Sequence, residues 1–307
     1  MPENPEASIA PRQLKPGQRC EVWVASAVTG ARELIFATDE QLLEAPNWTP
    51  DNAALILNGS GTLWRLDLGT RSLDKVPITG LPDVNNDHVL GPGSLIYVSA
   101  NDGHIYRADL AGGPATRTTA DDGVFHFLHG VSPDGQELAF VGIRADDFTM
   151  PGHLSTMPAA GGAAAGIDVG PGHSDGPEYS PDGQWIHFNT EAFTNVPGHA
   201  QIARVRRDGS DCERLTRSGT ADWFPHLSPD GALASYLRFP PGTVGHPADL
   251  AVDIVAVGVH DWTAPLHTWP LIGGQGSLNV NSWSPDSTRF AYVAYSVGAD
   301  SGPSAIP

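Results

Sequence analysis

A chain of 307 residues with 40% hydrophobic content is long enough to bury a sizeable core. Its formal charge of -18 and pI near 4.8 leave no cationic face for nucleic acid or an anionic membrane surface. There are only two lysines, Lys15 and Lys75, and no segment approaches the roughly 18 consecutive apolar residues of a membrane span.

Residues 1–18 are polar, proline-containing and aperiodic, and are expected to form a flexible arm. They lack the apolar core of a secretory signal, so the expected compartment is the cytoplasm, or the periplasm if a leader has been removed. The two cysteines, Cys20 and Cys212, lie far apart without metal-ligand spacing and read as free thiols. CEVWVASA (20–27) and ARELIFAT (31–38) follow as two strand-like runs joined by a Thr-Gly turn.

A tight turn leading into an apolar strand then recurs six times. Its members are Thr49-Pro50-Asp51, Gly91-Pro92-Gly93, Ser132-Pro133-Asp134, Ser180-Pro181-Asp182, Ser228-Pro229-Asp230 and Ser284-Pro285-Asp286. The steps of 42, 41, 48, 48 and 56 residues approach the roughly 40–45 of a four-stranded propeller blade. Proline sets φ at the first turn position, and Asp and Gly accept the later backbone angles, so each turn joins two antiparallel strands. Five repeats carry four strand-like segments each. The sixth has only NSWSP and RFAYVAYS before the chain ends, whereas the first two strands have no turn motif of their own. Joining these halves closes the ring and leaves no radial sheet edge exposed. The expected fold is all-β: a six-bladed propeller over residues 19–297, with Cys20–Thr38 beside Arg289–Ser296 and a tail at 298–307.

The innermost strand of each blade precedes its turn motif, so residues counted back from the turn should line the channel. Three residues back are His88 and His129, and two back in the next blades are Glu178 and His226. The long connections add His153, His199 and His246, so eight of the twelve histidines, with His126 and His173, fall on or near one face. Imidazoles with a carboxylate suit a transition metal, which makes His88, His129, Glu178 and His226 a candidate set for Mn, Zn or Ca. The same groups can instead bind ordered water in a polar channel. Glu178 or Asp175 is a candidate general base, with a histidine such as His199 or His246 as acid. Arg144 and Arg238 end strands near that face and suit a carboxylate, Trp223 offers a stacking surface, and Asn85-Asn86-Asp87-His88 and Asn279-Val280-Asn281 add amides at the mouth. Trp48, Tyr179 and Trp283, each one residue before its turn, are expected to pack between blades. There is no nucleophile elbow, phosphate loop or dinucleotide fingerprint, and no nucleotide cofactor is expected.

The repeated turns and strands such as ELAFVGI and QIARVRRDGS resemble the TolB-like, or PD40 (WD40-like), β-propeller family over about residues 20–296. For TolB itself the resemblance implies a periplasmic protein-binding role. The histidine cluster is similar in kind to that of oligogalacturonate lyases on the same type of propeller. That likeness implies a metal on His88, His129, Glu178 and His226, a uronate carboxylate on Arg144 or Arg238, and a rim histidine handling the proton. Two expectations therefore stand together. One is a small polar or carbohydrate ligand at the channel mouth, with metal-dependent lyase or hydrolase chemistry; the other is a non-catalytic propeller presenting the same face to a protein partner.

Overall fold

The turn motif is held by its own side chains. In the computed structural model, which describes residues 10–297, the hydroxyl of Thr49, Ser132, Ser180, Ser228 or Ser284 donates at 2.6 Å to the Asp two positions on. The same Asp oxygen accepts the backbone N–H two residues later, as Asp182 does from Gln184 at 3.0 Å. These bonds hold the carboxyl of Asp182 below its ordinary range. Each turn thus meets its polar needs locally, which lets the motif recur in different surroundings.

Every regular element among the described residues is a strand, and the strands form six blades around a channel. Blade 1 runs Glu44–Trp48, Ala54–Gly59, Thr62–Asp67 and Leu73–Lys75. Blade 2 begins at Val84–Leu90, blade 3 at Val124–Val131, blade 4 at Ser174–Tyr179 and blade 5 at Ala221–Leu227. In blade 6 the innermost position is a single bridge, Trp283 to Phe290, followed outward by Arg289–Val297, Gln18–Ser26 and Arg32–Thr38. Gln18–Ser26 pairs along its full length with Arg289–Val297, Cys20 opposite Tyr295, so the ring closes as the repeat predicts. A short parallel pair, Ile78–Thr79 with Gly113–Pro114, ties the outer parts of blades 1 and 2.

The core lies between blades. Trp48 packs with Cys20 and Val293, Tyr179 with Ala139 and Val141, and Trp283 with Phe224 and Phe290, all three aromatics being buried. The hydroxyl of Tyr179 donates to Glu137 of the preceding blade at 2.7 Å, which gives the buried ring its polar partner.

Two boundaries need comment. The arm is described only from Ala10, and there Arg12 docks onto the face: it donates to Glu44 at 3.0 Å, to Asp249 at 2.9 Å and to the Gln275 carbonyl at 2.9 Å. Its guanidinium also sits 4.2 Å over the ring of Tyr295. Residues 298–307, expected as a tail, lie outside the described residues, as do residues 1–9.

Candidate functional site

The innermost strands are not regular, and their irregularity builds the site. Registers shift between Glu44 and Asn47, Val84 and His88, Leu128 and Gly130, Asp175 and Glu178, and Trp223 and His226. At the equivalent position of three blades the backbone turns left-handed, at Ala45, Gly176 and Phe224. A bulge places an extra residue in one strand and re-aims the side chains around it. Here it divides the channel residues into two layers.

The deeper layer is a belt of hydrogen bonds across blades. Nδ1 of His226 lies 2.6 Å from Glu178 and its Nε2 lies 2.9 Å from the Leu278 carbonyl. Glu178 also accepts from Asn281 at 2.7 Å and from the Leu227 N–H at 3.0 Å. Asn47 donates to the Asn281 carbonyl at 2.8 Å, and its own side-chain oxygen lies 2.9 Å from Nδ1 of His88. Burial alone pushes His88 down to about 3, so its ring is neutral.

The upper layer surrounds a cavity of about 230 Å³. Asp175 is its centre. One carboxylate oxygen lies 3.1 Å from Nε2 of His129 and accepts the Gly176 N–H at 2.7 Å; the other lies 3.3 Å from Nε2 of His173 and 3.6 Å from His246. Burial opposes ionisation, but the bonds from the three imidazoles overcome it and hold the carboxyl well below its usual range. Nδ1 of His129 faces the Asn279 carbonyl at 3.3 Å, so both ring nitrogens meet acceptors. Burial lowers its basicity, yet the charge of Asp87 and the bond to Asp175 prevail and raise it to about 9. His129 is therefore an imidazolium at neutral pH. Nδ1 of His173 accepts the Gly152 N–H at 2.9 Å, which keeps its proton on Nε2, toward Asp175. His246 turns its Nδ1 to the Gln275 side chain.

Beyond the chamber lies a vestibule of about 660 Å³ that shares His173, His246 and Gln275 with it. Its outer wall carries Phe148, Met150 and Val244, which are 43%, 45% and 70% exposed. Trp223 forms the floor, fully buried and against both His173 and His246.

These positions revise several expectations. The set His88, His129, Glu178 and His226 is divided between the two layers. Glu178 and His226 are committed to each other and to backbone, and His129 as an imidazolium has no lone pair to offer a metal. The residues therefore do not fit a cation centre, and no group of three or more His, Cys, Asp or Glu among the described residues has that arrangement. In blade 2 the bulge brings Asp87 to the chamber and turns His88 toward Asn47. His199 is not at the chamber either; it bonds the Ser218 carbonyl at 2.9 Å. Arg144 is exposed and paired through two bonds with Asp146, and Arg238 bonds Tyr236 beside buried Asp222. Neither arginine lines the chamber, so the expected carboxylate grip is absent there. Asn281 belongs to the belt. Asp175, His246 and Trp223 do converge on the site. Sequence reading did not single out Gln275; it placed Asn279 and the stretch holding Asp87 at the mouth for their amides only, and the bulge is what gives the Asp87 carboxylate the chamber.

No family model matches the chain. It is 37% identical over 284 residues to an uncharacterized protein of Agrobacterium fabrum, covering 90% of this chain and 92% of that one. A solved structure assigned to TolB from Agrobacterium tumefaciens superposes with a TM-score of 0.82 at 35% identity, covering 91% of this chain and 99% of the other. TolB of Acinetobacter baumannii, at 16% identity, has a TM-score of 0.61 over 84% of this chain and 64% of its own. An oligogalacturonate lyase in complex with manganese, also 16% identical, has a TM-score of 0.54 over 91% of this chain and 78% of its own. At that identity the last two share the fold alone.

Proposed function

The chain belongs to the TolB-like family of β-propellers, and from that premise we propose that it binds a small polar or carbohydrate ligand in the chamber around Asp175. One observation carries this reading: a buried carboxylate collects imidazoles from three blades at the edge of a cavity of about 230 Å³ that no protein group fills. Such a polar cavity with an apolar vestibule is the usual form of a small-molecule site. His129, raised to about 9, is a fixed positive charge at neutral pH, with its two N–H groups turned to Asp175 and the Asn279 carbonyl. The amides of Asn85, Asn86 and Asn101 at the chamber wall suit hydroxyl groups.

Calorimetric titration with neutral oligosaccharides, uronate oligomers and small amines tests the reading. Binding by at least one class, lost in Asp175→Asn with the melting transition kept, is expected. No binding by any class, or binding indifferent to Asp175→Asn, would overturn it and leave the same face to a protein partner.

A further inference from the structure

We propose that the chamber takes an organic cation, with an ammonium group against Asp87 and an apolar body running out into the vestibule. This rests on the chamber being a ligand site and names the ligand's chemical class. Asp87 is 4% exposed, yet its carboxylate accepts no hydrogen bond from a protein group among the described residues. The nearest charge is Nε2 of His129 at 3.9 Å, beyond hydrogen-bond length. Buried carboxylates are ordinarily paired, because an ion without a partner carries the full cost of leaving water.

Of the ionisable groups that line the cavity, Asp87 is the one whose side chain has no hydrogen-bonded partner among the described residues. Asp87 and Asp175 are two anions, and His129 is one cation already bonded to Asp175. His173 accepts the Gly152 N–H on Nδ1 and turns Nε2 to Asp175, so its proton is not directed at Asp87. No lysine or arginine lines the cavity. Arg12 lies in the adjoining pocket, but Glu44 and Asp249 neutralise it. His246 turns Nδ1 to Gln275 and Nε2 toward Asp175, so it too is spent on other partners, and Asp87 faces the cavity without one. Burial pushes the Asp87 carboxyl up to about 6, the charge of His129 opposing it and that of Asp175 adding to it, and a bound cation would reverse the shift.

The other walls define the rest of the ligand. Phe127, Phe224, Val141 and Ile143 line the same cavity as Asp87 and give it apolar surface. The exposed Phe148, Met150 and Val244 continue that surface outward. A chain charge of -18 also favours the approach of a cation over an anion.

Hexylammonium, hexanol and hexanoate, equal in length, form the test set. Calorimetry at pH 7.5 is expected to give hexylammonium a Kd about tenfold or more below that of hexanol, with hexanoate weakest. Asp87→Asn removes a buried charge and should fold; it is expected to abolish the preference for hexylammonium. Phe148→Ala, on the exposed wall, should weaken hexylammonium while leaving methylammonium unchanged. Tighter binding of hexanoate, or an undiminished preference in Asp87→Asn, overturns the cation assignment. If these three fail to bind while a sugar binds and is lost in Asp175→Asn, the cation assignment falls and the chamber stands. If nothing in either set binds, both fall.

Discussion

Nε2 of His129 of blade 3 forms an ion pair with the carboxylate of Asp175 of blade 4 at 3.1 Å, and this contact joins two blades at the mouth of the channel. It is both a structural tie and the electrostatic centre of the chamber. Its consequences for stability can be separated from those for binding.

The imidazolium of His129 should make stability depend on alkaline pH. Its folded pKa of about 9 exceeds the ordinary 6.5 because the charges of Asp87 and Asp175 outweigh burial. The folded state therefore holds a proton that the unfolded state has released. That stability is fully present below about 6.5 and is lost as pH rises through about 9. The span corresponds to about 3 kcal/mol. Thermal melts of wild type should fall over this window, and His129→Gln should flatten that slope.

Asp87 works in the opposite direction. A carboxyl raised to about 6 by burial destabilises the folded state once ionised, and the penalty grows between about 4 and 6. Asp87→Asn removes this penalty together with the charge that helps raise His129, so its melting temperature should fall less than that of wild type between pH 4 and 6 and should respond less to pH toward 9. An Asn variant that falls as steeply as wild type between pH 4 and 6 would mean that the Asp87 carboxyl carries no such penalty.

Glu178 is expected to be structural. It holds His226, Asn281 and the Leu227 N–H at once, so Glu178→Ala leaves a buried imidazole and amide without their acceptor. Breaking a buried pair from one side costs about 3–5 kcal/mol. Chemical denaturation should show that loss, and Glu178→Gln should recover part of it through Asn281 and the backbone N–H.

Gly176 carries the bulge of blade 4 with φ of 63°. A Cβ there would meet Phe224 at 3.0 Å and the Asn189 side-chain oxygen at 3.1 Å. Gly176→Ala should cost about 2 kcal/mol from left-handed backbone and crowding together. Because Asp175 precedes it, the variant should also weaken chamber ligands more than it lowers the melting temperature.

Closure by the N-terminal strands gives the last test. Gln18–Ser26 lies between Arg289–Val297 and Arg32–Thr38, so deleting residues up to Gly30 removes a central strand of blade 6. The truncated chain should lose its cooperative melt. Arg12→Ala is the milder change: it leaves Glu44 and Asp249 without their shared cation and should cost about 2 kcal/mol, since the side chain is 20% exposed.

Periodicity and turn chemistry determined the architecture in advance. Ser-Pro-Asp-Gly is a local device whose bonds close within six residues, so its recurrence marks blade boundaries whatever surrounds it, and unequal strand counts at the two ends require closure. The same local reading placed Asp175, His246 and Trp223 near the mouth. It failed where alternation fails. A bulge adds one residue to an inner strand, and one residue turns a side chain from the channel to the neighbouring blade. His88 therefore meets Asn47 while Asp87 takes the chamber, and Glu178 with His226 drops into the belt below His129. Arg144 and Arg238 were near the right face in sequence, but Asp146 and Tyr236 hold them away from the cavity. Arg12 lay in a stretch with no pattern to read, and only the meeting of Glu44 with Asp249, 205 positions apart, gave it a site. Which charges share a chamber depends on contacts between blades, and those are settled by packing across the ring.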